Sequence, residues 1–170
     1  MCLGAAGQIV RFEDADHQTA TVELAGVHQV VNTGMLTGGS DPPGPGDWVL
    51  RPPGNQSGQA WRVEPYIDEH TATLVSPQID HPGGTVKLTW SMAHNTEAGF
   101  DYVTVEWSGA DGSGGTLFGA SGQNAAWPEF DVFERSFVAP PGPLTIRVKM
   151  SSDQLVSGIG AALDDVKVER

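Results

Sequence analysis

The only cysteine of this 170-residue chain is its second residue. A cysteine used for packing behaves as a small hydrophobe in a core, whereas chain termini are poorly ordered unless something ties them down. Cys2 therefore reads as chemistry at a tip rather than as packing.

Carboxylates are the next candidates. Calcium takes six to eight oxygen ligands. Asp164 and Asp165 stand near the last expected strand, and Asp68 and Glu69 just ahead of "TATLV". Asp164 and Asp165, with Asp68 or Glu69, could converge on calcium if those two strands are neighbours. On the plainer alternative, Asp-Asp-Val opens a strand, with one carboxylate capping a turn and the other in solvent. Asp101, after Phe100, reads as a structural hydrogen-bond acceptor. None of His17, His28, His70, His81 and His94 has a histidine partner at i+4, so the HExxH zinc signature is absent. No oxyanion turn or phosphate loop is visible, and the chain reads as a non-enzyme.

The elements that must position these residues are strands. Glycine (22) and proline (12) are frequent, and the periodic stretches alternate with period two. "GQIVRFE" is followed by a hairpin of "TATVELAG" and "VHQVVNTGML" over Ala25-Gly26. "TGGSDPPGPG" is a loop, and "DWVLR" stops at Pro52-Pro53. Beyond "RPPGNQSGQ" the rhythm changes. "TATLVSPQI", "GGTVKLTWSMAH", "FDYVTVEWSG", "DVFERSFVA", "PLTIRVKMSS" and "LDDVKVER" are strands of similar length at sandwich spacing. "ADGSGGT" reads as a glycine-rich hairpin loop. The expected architecture is all-β: a small OB-like barrel over 1–51, a linker over 52–60, and an antiparallel jelly-roll β-sandwich over 61–170.

Composition excludes several classes. The formal charge is -12, from 9 Lys plus Arg against 21 Asp plus Glu. Nucleic acid and anionic membranes need clustered cations, so neither is an expected partner. No apolar run approaches the roughly 20 residues of a membrane span. A single thiol forms no internal disulfide, which suits a reducing compartment. With no basic and apolar leader visible, the expected location is the cytoplasm.

Residues 1 to about 50 resemble the HypC/HupF hydrogenase-maturation chaperones, in "MCLG..GQIV", "ATVELAGV", "VVNTGML" and "PGDWVL". The resemblance implies the OB-like barrel. It also implies a part in assembling or delivering the iron, with its CO and cyanide ligands, of nickel-iron hydrogenase. The implied partners are the hydrogenase large-subunit precursor and the iron-carrying maturation protein. Loss of Met1 would leave Cys2 terminal. Its thiolate, favoured by the adjacent ammonium, is a soft iron ligand. Cys2, Leu3, Gly4, Gly7 and Gln8 would form the partner-binding tip. Two positions depart from the pattern: Ala6 stands where the family has proline, and Pro52 where it has a histidine of the iron site.

Residues from about Trp61 onward are similar to the jelly-roll modules of immune-inhibitor-A-type secreted peptidases and to MAM-like domains, through "TATLVSPQID", "GGTVKLTW", "GFDYVTVEWS", "TIRVKMSSD" and "LDDVKV". That resemblance implies an accessory module for carbohydrate or protein, in some members with calcium. Two functional readings follow. One is a HypC-like maturation chaperone acting through Cys2; the other is a ligand-recognition sandwich with no maturation role.

Overall fold

The computed structural model describes residues 8–12, 19–24, 27–32, 36–37, 46–52, 60–156 and 158–169. Every regular element among them is a β-strand, so the all-β expectation holds. No helix is long and apolar enough to cross a membrane.

Strands β1 (Gln8–Phe12), β2 (Thr19–Leu24) and β3 (Val27–Asn32) form an antiparallel meander. Leu24 pairs with Val27, so the expected hairpin over Ala25-Gly26 is present.

The remaining strands are β4 (Leu36–Thr37), β5 (Val49–Arg51), β6 (Ala60–Val63), β7 (Thr71–Val75), β8 (Ile79–Asn95), β9 (Tyr102–Gly109), β10 (Gly114–Ala120), β11 (Asp131–Ser151) and β12 (Gly160–Glu169). They make a sandwich whose two layers share one strand. The first part of β11 lies against β8, and its last residues run between β9 and β7. Leu144 is the crossover, paired with both Ile79 of β8 and Gly109 of β9. One layer therefore runs β10-β9-β11-β7-β4 and the other β11-β8-β12-β6-β5.

This corrects the expected separate strands "DVFERSFVA" and "PLTIRVKMSS". Pro140, Pro141 and Pro143 carry no N–H to donate, yet one strand continues through them. They stand next to the crossover, with Pro141 opposite Pro82 and Pro143 opposite Asp80. Proline is tolerated where a ladder bends or ends.

The core follows strand alternation. Val86, Leu88, Trp90 and Met92 of β8 face inward, as do Leu144, Ile146, Val148 and Met150 of β11. Ala72 and Leu74 of β7, Val103 and Val105 of β9, and Ala161 and Leu163 of β12 pack with them. Phe118 of β10 bridges the layers, 4.6 Å from Phe133 and 5.8 Å from Trp90 by ring centroid.

Part of the stretch assigned to the barrel belongs to the sandwich. Leu36 pairs with Val75, and β5 pairs with β6. Trp48 is fully buried in the sandwich core, its indole N–H donating to the Ala72 carbonyl at 3.3 Å. The buried Asp47 carboxylate lies 3.3 Å from His70 Nε2. Gly46 has φ +84, and a Cβ there would stand 2.9 Å from Ile67 Cγ1, so a glycine is required. Among the described residues the meander closes with neither β4 nor β5.

Candidate functional site

Cys2, Leu3, Gly4 and Gly7 lie outside the described residues. Gln8 opens β1 opposite Glu23, and Pro52 follows β5 directly and is exposed.

The four calcium candidates are not brought together. β7 pairs with β11 and β4, not with β12, so the strand neighbourhood that convergence required is missing. Asp164 and Asp165 sit at an irregularity inside β12. Asp165 Oδ2 accepts from the Ser91 hydroxyl at 3.1 Å, and its own N–H donates to Asp164 Oδ1 at 2.8 Å. Asp164 pairs with Ser91, four positions from the Gly160–Asn95 pair that ends the strand, which is about 13 Å at strand spacing.

A different carboxylate group assembles beyond that end. Three loops meet there, 64–70 before β7, 96–101 between β8 and β9, and 152–159 between β11 and β12. Their backbones are stitched together: the Glu69 N–H donates to the Asp153 carbonyl at 2.6 Å and the Ile159 N–H to the Asn95 carbonyl at 2.9 Å. Glu97, Asp101 and Asp153 each offer an oxygen, all within 4.8 Å of one another. Two oxygens on opposite sides of a calcium ion stand about 4.6–5.2 Å apart, so the spacing fits a shared hard cation.

The support beneath is specific. Tyr66 and Asp101 are fully buried, and the Tyr66 hydroxyl donates to Asp101 Oδ2. That hydroxyl in turn accepts from the N–H of Gly158, and from that of Glu97 at 3.2 Å. Asp101 Oδ1 accepts from the Asp153 N–H at 2.9 Å, and Asp153 Oδ1 from the Leu155 N–H at 3.0 Å. A Cβ on Gly158 would meet the Asn95 carbonyl oxygen at 2.7 Å, so only glycine lets the loops close this tightly.

Glu97 Oε2 is buried with no hydrogen-bond partner among the described residues. Desolvation raises the Glu97 carboxyl above its ordinary value, and the charges of Asp153, Asp101 and Asp68 raise it further. Desolvation also raises the Tyr66 phenol, reinforced by its bond to Asp101. Loops 64–70, 96–101 and 152–159 contain no Lys or Arg. The group thus needs either protons or a cation, and an orphaned buried carboxylate oxygen is what a cation would satisfy.

Asp68 lies beside this end, since its charge acts on Glu97. Glu69 is at the loop surface, where Gln154 Nε2 donates to its Oε1 at 2.5 Å. Glu97 and Asp153 had no sequence signal. Asp101, read as a structural acceptor, is one, and it also joins the group. His81 and His94 are buried structural residues; His94 Nδ1 stands 2.9 Å from the Gly122 carbonyl oxygen.

Comparison with known families and structures gives matches of two kinds. Residues 1–54 match the HupF/HypC family. The HupF/HypC match spans about a third of the chain and takes in β5, which pairs within the sandwich. Solved structures resemble most of the chain in fold. The K3 cleaved adhesin domain of Lys-gingipain from Porphyromonas gingivalis W83 is similar over 79% of this chain and 91% of its own, at 18% identity and TM-score 0.52. The K1 domain of the same protein gives 79%, 89%, 15% and 0.50 in the same order. A family 16 carbohydrate-binding module gives 72%, 85%, 11% and 0.50. These likenesses establish the jelly-roll sandwich. No curated protein matches the chain.

Proposed function

We propose that this protein is a hydrogenase-maturation factor of the HypC kind, not itself an enzyme, acting in the cytoplasm. It would assist assembly or delivery of the iron, with its CO and cyanide ligands, to the nickel-iron hydrogenase large-subunit precursor, with Cys2 as the thiolate contact. The match of residues 1–54 to the HupF/HypC family, with the sole cysteine at position 2, supports this reading. With Pro52 at the family's histidine position, the second iron ligand comes from a partner, and the isolated chain holds iron weakly. The test is capture of the large-subunit precursor and the iron-carrying partner by the protein and by Cys2→Ala. Loss of capture in the variant is expected; equal capture by both overturns the role of the thiol.

A second reading is favoured by the loop end. In it the sandwich is a recognition module for carbohydrate or protein, with calcium held by Glu97, Asp101 and Asp153. All three supply hard oxygen donors, the chemistry calcium prefers. Titration calorimetry with calcium on the chelator-treated chain tests it. One bound ion, lost in Glu97→Gln and retained in Asp164→Asn, is expected. Absence of binding, or loss only in the Asp164 variant, overturns the assignment.

A further inference from the structure

The loops that carry the carboxylates also expose the largest apolar side chains of this end. Ile67, Phe100, Leu155, Val156 and Ile159 project from the three hydrogen-bonded loops, with Phe100 60%, Leu155 71% and Val156 67% exposed. Scattered exposed apolar residues need no explanation, whereas a contiguous group rimmed by polar ones marks an interaction site. Here five such residues share one end with Asp68, Glu69, Glu97, Asp101 and Asp153. Val156 adds an independent sign. It is β-branched yet has φ +63, in the left-handed region. That conformation is strained for a β-branched residue and persists where the surroundings impose it, and here it holds an apolar side chain out in water.

We propose that this end is a docking surface for a basic segment of a partner protein that also presents apolar side chains. Charge complementarity selects the occupant. Six carboxylates stand on these loops, which carry no Lys or Arg of their own; Glu64 is paired with Arg62 of β6, and a divalent cation among the other five leaves the end negative. The whole chain, at -12, repels anionic surfaces, bilayers included. Apolar contacts at the centre with charges around them are the anatomy of a protein interface. The proposal rests on the reading of the sandwich as a recognition module and names its partner's chemistry.

The experiment uses the full chain and three fluorescent peptides of one apolar pattern, carrying Lys, Glu or Gln at the polar positions, with phosphatidylglycerol vesicles and an oligosaccharide panel alongside. Fluorescence anisotropy should show the Lys peptide binding at least about tenfold more tightly than the Glu peptide. Binding should weaken as salt rises from about 50 mM to about 500 mM and persist in calcium. The double variant Leu155→Ser/Val156→Ser should lose at least about tenfold in affinity with unchanged circular dichroism. Val132→Ser/Val138→Ser, on exposed positions of β11, should bind as the parent does. Equal binding of Lys and Glu peptides, or vesicle binding in place of peptide binding, overturns the proposal. Peptide binding that survives the Leu155/Val156 change overturns this surface and leaves the recognition-module reading standing. Binding to no peptide and no oligosaccharide overturns both.

Discussion

The Tyr66 hydroxyl donates to Asp101 Oδ2, joining the loop before β7 to the residue that precedes β9. Both side chains are fully buried. The same hydroxyl accepts from the N–H groups of Gly158 and Glu97, so one oxygen ties three loops together.

Tyr66→Phe should therefore destabilise the protein by more than one ordinary hydrogen bond. It leaves the buried Asp101 carboxylate without its phenol donor, and bonds to charged groups contribute about 1.5–3 kcal/mol each. Urea unfolding of the variant should show a loss in that range with an unchanged slope. A loss below about 0.5 kcal/mol would show that solvent replaces the phenol, contrary to the burial. The parent should also lose stability as pH rises through the raised phenol value above 10.0, because the unfolded chain releases that proton first. Tyr66→Phe should lack this component.

Glu97 adds a penalty of its own at the site. Its folded carboxyl is raised above 4.5 by desolvation and by Asp153, Asp101 and Asp68. In the window just above 4.5 the native state binds more protons than the unfolded one, so stability falls as pH rises through it. Glu97→Gln removes the penalty. In chelator the variant should melt above the parent at neutral pH and show a flatter profile between pH 4.5 and neutrality. Calcium should reverse the order: at about a hundredfold excess over Kd it stabilises the parent by about 2.7 kcal/mol and the variant little. Identical melting profiles with and without calcium would remove the cation from the account.

Much of this architecture was legible in the residues, and the misses have physical causes. The β2–β3 hairpin was readable because Ala25-Gly26 separates two alternating runs, and the pairing of Leu24 with Val27 agrees. β10 begins inside the expected "ADGSGGT" loop, because Gly114 and Gly115, with Gly119 further on, stand in place of the usual strand formers. The Asp131–Ser151 strand was split at its prolines because the pattern does not show that a crossover tolerates them. The carboxylate group was missed for a topological reason. Asp153 is 52 positions from Asp101, and only the sheet order puts the β8–β9 and β11–β12 loops side by side. Asp164 and Asp165, adjacent and conspicuous, drew the reading toward a site that β12 cannot share with β7.

Trp48 tests how far the two family-like parts are one structure. Its indole is buried with Val63, Leu74 and the β12 residues, although it falls within the HupF/HypC match over 1–54. Trp48→Ala should cost about 3–5 kcal/mol, the range for emptying a core tryptophan site. Trp61→Ala, at a half-buried residue of β6, should cost less. A fragment starting at residue 61 loses Trp48, β5 and the Asp47–His70 contact together. It should therefore unfold at lower denaturant than the sandwich in the full chain, followed by circular dichroism and tryptophan fluorescence. A fragment as stable as the sandwich in the full chain would mean that residues 46–51 only rest on the sandwich. A less stable fragment, matched by Trp48→Ala in the full chain, would mean that residues within the HupF/HypC match and the folding of the sandwich are thermodynamically linked through this tryptophan.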